Sequence, residues 1–320
     1  MSKVTKTWLI TAAILVVAGF FVFMLVIRGY MGNFTKALVK YETNEYTMDE
    51  NYKNITVVTD TADIVLVPSE HETHSIVCYE PQNVKHAVSV KDGTLFIEVT
   101  DTRKWYEYLR INFRTPKITV SIPQGEYGSL VIKGDTGDVD IPKAFTFEEA
   151  TVALSTGDVD FCATVLKQLT VKTSTGDIEV EKTTVGALDL LVSTGEITAE
   201  NVFCEGNAKI SVSTGKTDLD NVTCKNLTSN GDTGKIVLND VIVTEKLLIN
   251  RSTGDVTFDG ADAKELFVKT STGDVRGTLL SEKVFITQTD TGKVAVPQTV
   301  NGGKCEISTD TGDIKLSIKQ

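Results

Sequence analysis

The sequence is short of the residues from which reactive centres are usually assembled. Its 320 residues hold only 3 His and 2 Trp, and the His fall in one stretch at positions 71, 74 and 86. No nucleophile and base pairing recurs along the chain, so no hydrolase constellation can be built from it. Basic residues are outnumbered 32 to 43, for a net charge of −11. Affinity for phosphate backbones comes from clustered Lys and Arg, so nucleic acid is set aside as a partner. Only 6 Pro are present, and no linker rich in Pro, Gly or Ser divides residues 46–320, which reads as one continuous domain. The 5 Cys are odd in number, which argues against a disulfide framework. Beyond the first thirty residues no apolar pattern keeps the 3.6-residue period of a helix.

What is present begins with WLITAAILVVAGFFVFMLVI at 8–27, twenty residues without a charge. At about 1.5 Å per residue this predicts a helix of roughly 30 Å, the thickness of a bilayer's hydrocarbon core. Lys3 and Lys6 lie in a short basic segment 1–7, and Arg28 and Tyr30 fall at the far interface. A cleaved signal peptide is the competing reading, but the apolar run exceeds a usual signal core and no A-x-A site follows Ile27. The expectation is a single-pass transmembrane helix at 8–27 in contact with membrane lipid, a tether at 28–45, and a domain displayed outside the cytoplasm.

The rest of the chain is periodic. A Ser-Thr-Gly or Asp-Thr-Gly tripeptide recurs with its glycine at Gly137, Gly157, Gly176, Gly195, Gly215, Gly234, Gly254, Gly273, Gly292 and Gly312, at intervals of 19 or 20 residues. Apolar residues alternate on both sides, as in Leu169 and Val171 before a turn and Ile178 and Val180 after it. Period two means strand, and the glycine supplies a left-handed turn position. One such coil cannot bury its apolar face alone, whereas stacked coils pair every strand above and below. The fold class is therefore all-β: a single-stranded parallel β-helix, or β-solenoid, of about ten coils at 134–320. At about 4.8 Å per coil it makes a rod on the order of 50 Å long. Residues 46–133 read as degenerate coils and a cap. Asp60-Thr61-Ala62-Asp63 is the repeat turn with Ala in place of Gly, Lys91-Asp92-Gly93-Thr94 is a hairpin signal, and 118–123 is a strand.

Three segments carry a family resemblance: ITVSIP at 118–123, LVIKGDTGDVDIP at 130–142, and the series STGDV at 155–159, STGDI at 174–178 and STGEI at 193–197. They resemble a bacterial family of β-strand-repeat proteins catalogued as candidate adhesins, a domain of unknown function in Gram-positive envelopes. The likeness spans 46–320 and implies a repeat-built β fold with an adhesin-like role. Lys216, Lys235 and Lys293 stand where the family's turn most often has Asp.

Candidate chemistry is sparse. Asp-Thr-Gly, at 135, 232, 290 and 310, is also an aspartic-protease tripeptide, but here it alternates with Ser-Thr-Gly at the same position, so it is turn chemistry. Asp138, Asp158 and Asp177 form a column in which a divalent cation could bridge stacked carboxylates; the simpler reading is solvated acids. Cys204 and Cys224 each follow their repeat glycine by nine residues, where Val185 and Val243 stand in neighbouring copies, and are expected as buried free thiols. His71 and His74 lie one residue short of a metalloprotease spacing, and with His86 they are expected in an exposed loop. Trp105, Tyr106 and Tyr108, flanked by basic residues, form a contact patch that could stack on sugar, press on the membrane interface or cover the first coil. The combined expectation is a non-catalytic, membrane-anchored surface protein without cofactors, its partners cell-wall glycan or surface proteins. The alternative is a regulatory, envelope-stress-sensing membrane protein whose solenoid faces the cytoplasm.

Overall fold

A computed structural model describes residues 3–31, 39–70, 73–109, 112 and 114–319. From Tyr41 to Ile318 the chain is a succession of short strands joined into one hydrogen-bonded sheet wound into a solenoid of about ten turns. Each coil carries three runs, for example Phe145–Phe147, Glu149–Thr156 and Val159–Phe161, with a register irregularity between the first two and the glycine turn between the second and third. All pairings between repeat coils are parallel. Alternation places every second side chain inside, in vertical columns. Leu130, Ala150, Leu169, Leu188, Ala208, Leu227, Leu247 and Leu266 form one, and all are buried. Burying one such Leu contributes about 1.5–3 kcal/mol, and no coil could hold its column away from its neighbours.

The turn glycines are fixed twice over. Gly195 has φ +146°, and a Cβ built on it would lie 2.0 Å from the carbonyl oxygen of Gly176 in the coil beneath. Its amide in turn donates to Thr214 O of the next coil at 3.0 Å. Backbone approaches backbone so closely that no other residue fits.

Stacking in chain order fails at both ends. Strands Asn54–Thr59 and Asp63–Ser69 lie directly against the first repeat coil, Ile55 beside Leu130 and Ile64 beside Val139. Ala62 does occupy a degenerate turn, its carbonyl beneath Gly137. Strands Thr94–Asp101 and Lys117–Pro123, later in the chain, stack outside that coil. At the other end strand Gly303–Thr311 inserts between Val256–Thr272 and Lys283–Thr291, pairing in parallel with both. The last coil in sequence is thus the last but one in space.

Antiparallel strands close the N-terminal end. Val84–Lys91 pairs with Thr94–Asp101 through the expected hairpin, with Asp92 and Gly93 both at positive φ, the geometry of a type I′ turn. His74–Pro81 pairs with Lys117–Pro123, and Tyr41–Met48 covers His74–Pro81. Covering the open coil therefore falls to these strands. Trp105 and Tyr108, on the short 3₁₀ helix Trp105–Leu109, are 78% and 59% exposed, so the covering role expected of that aromatic patch is not theirs; the Tyr106 side chain lies outside the described residues.

Residues Lys3–Met31 form a single 29-residue helix. Among the described residues no helix is long and apolar enough to cross a membrane, so the membrane reading of 8–27 rests on the sequence alone.

Candidate functional site

The residue after each turn glycine projects from one corner of the rod, and there the Asp preference has a structural cause. Asp138 Oδ1 accepts the amide of Asp158 at 2.9 Å, Asp158 Oδ1 that of Asp177 at 2.7 Å, and Asp177 Oδ1 that of Glu196 at 2.7 Å. The ladder resumes from Asp255 to Asp274, Asp313 and Lys293, in the permuted spatial order. A side chain of one methylene reaches an amide one coil away, and a carboxylate accepts it strongly. Each of Asp138, Asp158 and Asp177 therefore already has a partner for one oxygen without a bridging cation. Lys216 cannot accept, and instead pairs with Glu196 Oε1 at 3.0 Å and with Asp218.

Beside this ladder runs a strongly acidic face. Asp140, Asp160 and Glu179 stand in register. Burial, and then the charges of Asp140, Asp158 and Asp138, hold the Asp160 carboxyl above its ordinary range. Glu179, hydrogen-bonded to Glu181, is shifted up as well, whereas Lys182 draws Glu181 down.

The long run before the turn presents a different surface. Asn226 Nδ2 donates to Asn207 Oδ1 at 2.9 Å, Asn226 Oδ1 accepts the Lys246 amide at 3.2 Å, and Asn250 Nδ2 donates to Asn230 Oδ1 at 3.0 Å. Asn207, Lys209, Asn226, Thr228, Lys246 and Leu248 line an open groove of about 450 Å³. The Lys246 ammonium sits 4.4 Å from the centre of the Phe267 ring. The groove thus sets side-chain amides and an ammonium beside apolar surface, a mixture of polar and apolar contacts typical of ligand sites.

The aromatic patch is a polar cluster with an exposed indole. Tyr108 donates to Asp101 at 2.8 Å and lies under the Arg103 guanidinium, 4.3 Å from the ring centre. Arg103 holds the Asp101 carboxyl well below the usual carboxylate range.

The His residues correct the expectation of an exposed loop. His71 lies outside the described residues. His74 begins a strand and hydrogen-bonds the Tyr52 hydroxyl at 2.7 Å, and burial lowers its pKa. His86 is 3% exposed and bonded to the wholly buried Glu80 at 2.7 Å. Sequence reasoning passed over Glu80 because nothing marks 70–91 as repeat. The available signal was alternation, since Ile76, Cys78 and Glu80 share one parity on their strand. All five Cys are free, with Cys204 and Cys224 buried beside Val185 and Val243 in the expected column.

Residues 52–212 and 205–320 match the family model described as Toastrack DUF4097. The chain belongs to the Toastrack DUF4097 family. No curated protein matches it. Among solved structures, this family member is similar to a proposed adhesin from Bacteroides fragilis at 18% identity, with 87% of this chain and 97% of that one covered and a TM-score of 0.39. A proposed lipid-binding protein from Parabacteroides distasonis shares 15% identity over 87% and 97% of the two chains, TM-score 0.44. A proposed adhesin from the same organism shares 12% over 85% and 97%, TM-score 0.44.

Proposed function

We propose that this Toastrack protein is a non-catalytic binding protein of the cell envelope. The helix containing 8–27 anchors it in the membrane, and the solenoid stands outside the cytoplasm to engage cell-wall glycan along the asparagine-lined side of the rod. The observation that carries this reading is the groove of Asn207, Asn226, Lys209, Lys246 and Leu248. Its amides are pre-ordered by coil-to-coil hydrogen bonds, so a repeating polymer meets a repeating surface at little entropic cost. Retention of the detergent-solubilised chain on purified wall polymer, reduced by Asn226→Ala together with Lys246→Ala, supports the reading. Equal elution from wall polymer and from an unrelated polysaccharide overturns it.

A second reading has one observation in its favour. All five thiols are free, as in a reducing compartment, which suits a solenoid facing the cytoplasm in a regulatory role. Protease digestion of intact and permeabilised cells separates the two. Cleavage in intact cells supports the surface reading, and cleavage only after permeabilisation supports the regulatory one.

A further inference from the structure

We propose that Cys78, Glu80 and His86 form a buried site for one divalent transition-metal ion of zinc-like preference, seated in the antiparallel cap. The site has no part in the glycan groove. Its three potential donor atoms lie within 4.8 Å of one another.

Elsewhere along the rod inward positions are mostly aliphatic or phenylalanine, but here the cap turns a thiol, a carboxylate and an imidazole inward together. Cys78 and Glu80 alternate on strand His74–Pro81, and His86 comes from the adjoining strand Val84–Lys91. All three are 3% exposed or less. Burying such groups costs several kcal/mol compared with the aliphatic side chains around them, and here a thiol, a carboxylate and an imidazole converge within reach of a single ion. Sulfur, nitrogen and oxygen donors in one small site are the mixture that zinc-like ions select over calcium or magnesium.

The surrounding groups orient these donors. Asn44 Nδ2 donates to Glu80 Oε1 at 2.6 Å, and the His86 amide donates to Glu80 Oε2 at 2.8 Å. Thr59 Oγ1, 4% exposed, lies 2.9 Å from His86 Nε2, and the Tyr46 hydroxyl donates to His86 O at 3.1 Å. Outer contacts of this kind fix ring orientation and tautomer in metal sites. Without metal, His86 Nδ1 is bonded to Glu80 Oε2 at 2.7 Å. On metal binding Nδ1 and a Glu80 oxygen turn to the ion, and the imidazole proton resides on Nε2, where Thr59 Oγ1 accepts it. Cys78 Sγ releases its proton to solvent as the sulfur–metal bond forms. A dication with one thiolate and one carboxylate then sums to zero charge, which removes the main cost of a buried ion. A cavity of about 70 Å³ is lined in part by Pro81, Asn83 and Val84, at the turn between the two ligand strands.

The same Thr59, His86 and Glu80 have the order of a hydrolase relay. Thr59 is buried, however, and no substrate could reach it, so the arrangement serves binding rather than hydrolysis.

The test uses the full chain in detergent after chelator treatment, titrated with cobalt(II) as the optical probe and zinc as competitor. The expected result is one equivalent of cobalt with a thiolate charge-transfer band, displacement by zinc, and a rise in thermal midpoint with either ion. Cys78→Ser removes the charge-transfer band, Glu80→Gln and His86→Ala weaken binding at least about tenfold, and Cys162→Ser leaves both readouts unchanged. Absence of the band in the wild-type chain, its survival in Cys78→Ser, or its loss in Cys162→Ser overturns the proposal. The wild-type titration decides even where a cap variant fails to fold.

Discussion

Gly231 lies beneath the side chain of Arg251, one coil along, so closely that a Cβ built on Gly231 would lie 1.6 Å from Arg251 Nη1. Arg251 points into the rod, 4% exposed, and its Nη2 donates to Thr217 Oγ1 at 2.8 Å and to Ser229 Oγ at 3.2 Å. Its Nε has no partner, and burial lowers its pKa to about 10. Four departures from the apolar interior, at 217, 229, 231 and 251, are thus one arrangement: a cation, two hydroxyls that accept from it, and the vacancy that admits it.

That arrangement predicts coupling. Gly231→Ala alone is expected to destabilise by about 2 kcal/mol, because the guanidinium must leave its place. Arg251→Met removes an uncompensated buried charge and is expected to stabilise by about 1 kcal/mol. In the double variant the cost of Gly231→Ala largely vanishes, a coupling of about 1–3 kcal/mol in a urea-unfolding cycle. Strictly additive effects would show that the two residues do not share the space.

The turn glycines predict a contrast within one residue type. Gly195→Ala is expected to lose about 2–3 kcal/mol from strain at φ +146° and from contact with Gly176 O. Gly125→Ala, with nothing within 4 Å of the added Cβ, is expected within about 0.5 kcal/mol of wild type. Thermal midpoints of the two variants check this.

The Asp ladder separates acceptor from charge. Asp158→Asn keeps an oxygen for the Asp177 amide, whereas Asp158→Ala leaves that amide to water. Asn is expected to be neutral or slightly stabilising beside Asp138 and Asp177, and Ala to cost about 0.5–1 kcal/mol. Equal loss in both, by chemical denaturation, would mean that the carboxylate's charge and not its acceptor oxygen holds the turn.

Alkaline pH opposes the buried thiols. Burial raises Cys224 and Cys305 from 9.0 to about 12. A folded pKa above the unfolded one gives stability that is complete below pH 9 and lost as pH rises toward 12. The lowered pKa of Arg251 acts in the opposite sense, since its penalty eases above pH 10, but it is one group against several, because burial also raises Cys78 and Cys204. The urea midpoint is therefore expected to fall from pH 9 to 11, and to fall less in a Cys224→Val, Cys305→Val variant. At neutral pH, alkylation of the native chain is expected at the half-exposed Cys162 and not at Cys204, Cys224 or Cys305, as read by peptide mass.

Much of the rod was legible in the sequence because its cause is local and repeated. A glycine every 19 or 20 residues, with alternating neighbours, specifies turn, strand and interior face together, and it located Ala62 and the Cys204 column as well. The order of the end coils was not legible. Any repeat turn stacks on any other, so the sequence shows that Gly273, Gly292 and Gly312 share a column without saying that Gly312 lies between the other two. His86 was misjudged because the polar run at 69–74 that holds the other two histidines suggested exposure, while its partner Glu80 carried no motif. Arg251 shares the inward parity of Leu247 and Ile249 on its strand, and the absent side chain of Gly231 in the coil beneath is what makes room for it.

The inserted final coil also governs how such a rod can lengthen over generations of gene duplication. A copy following the strand Gly303–Thr311 would find the outer edge of that strand already occupied by Lys283–Thr291. A unit duplicated among the middle coils meets matching partners on both sides. Length can therefore change in the interior while residues 283–318 travel along unaltered, inherited as one interlocked piece.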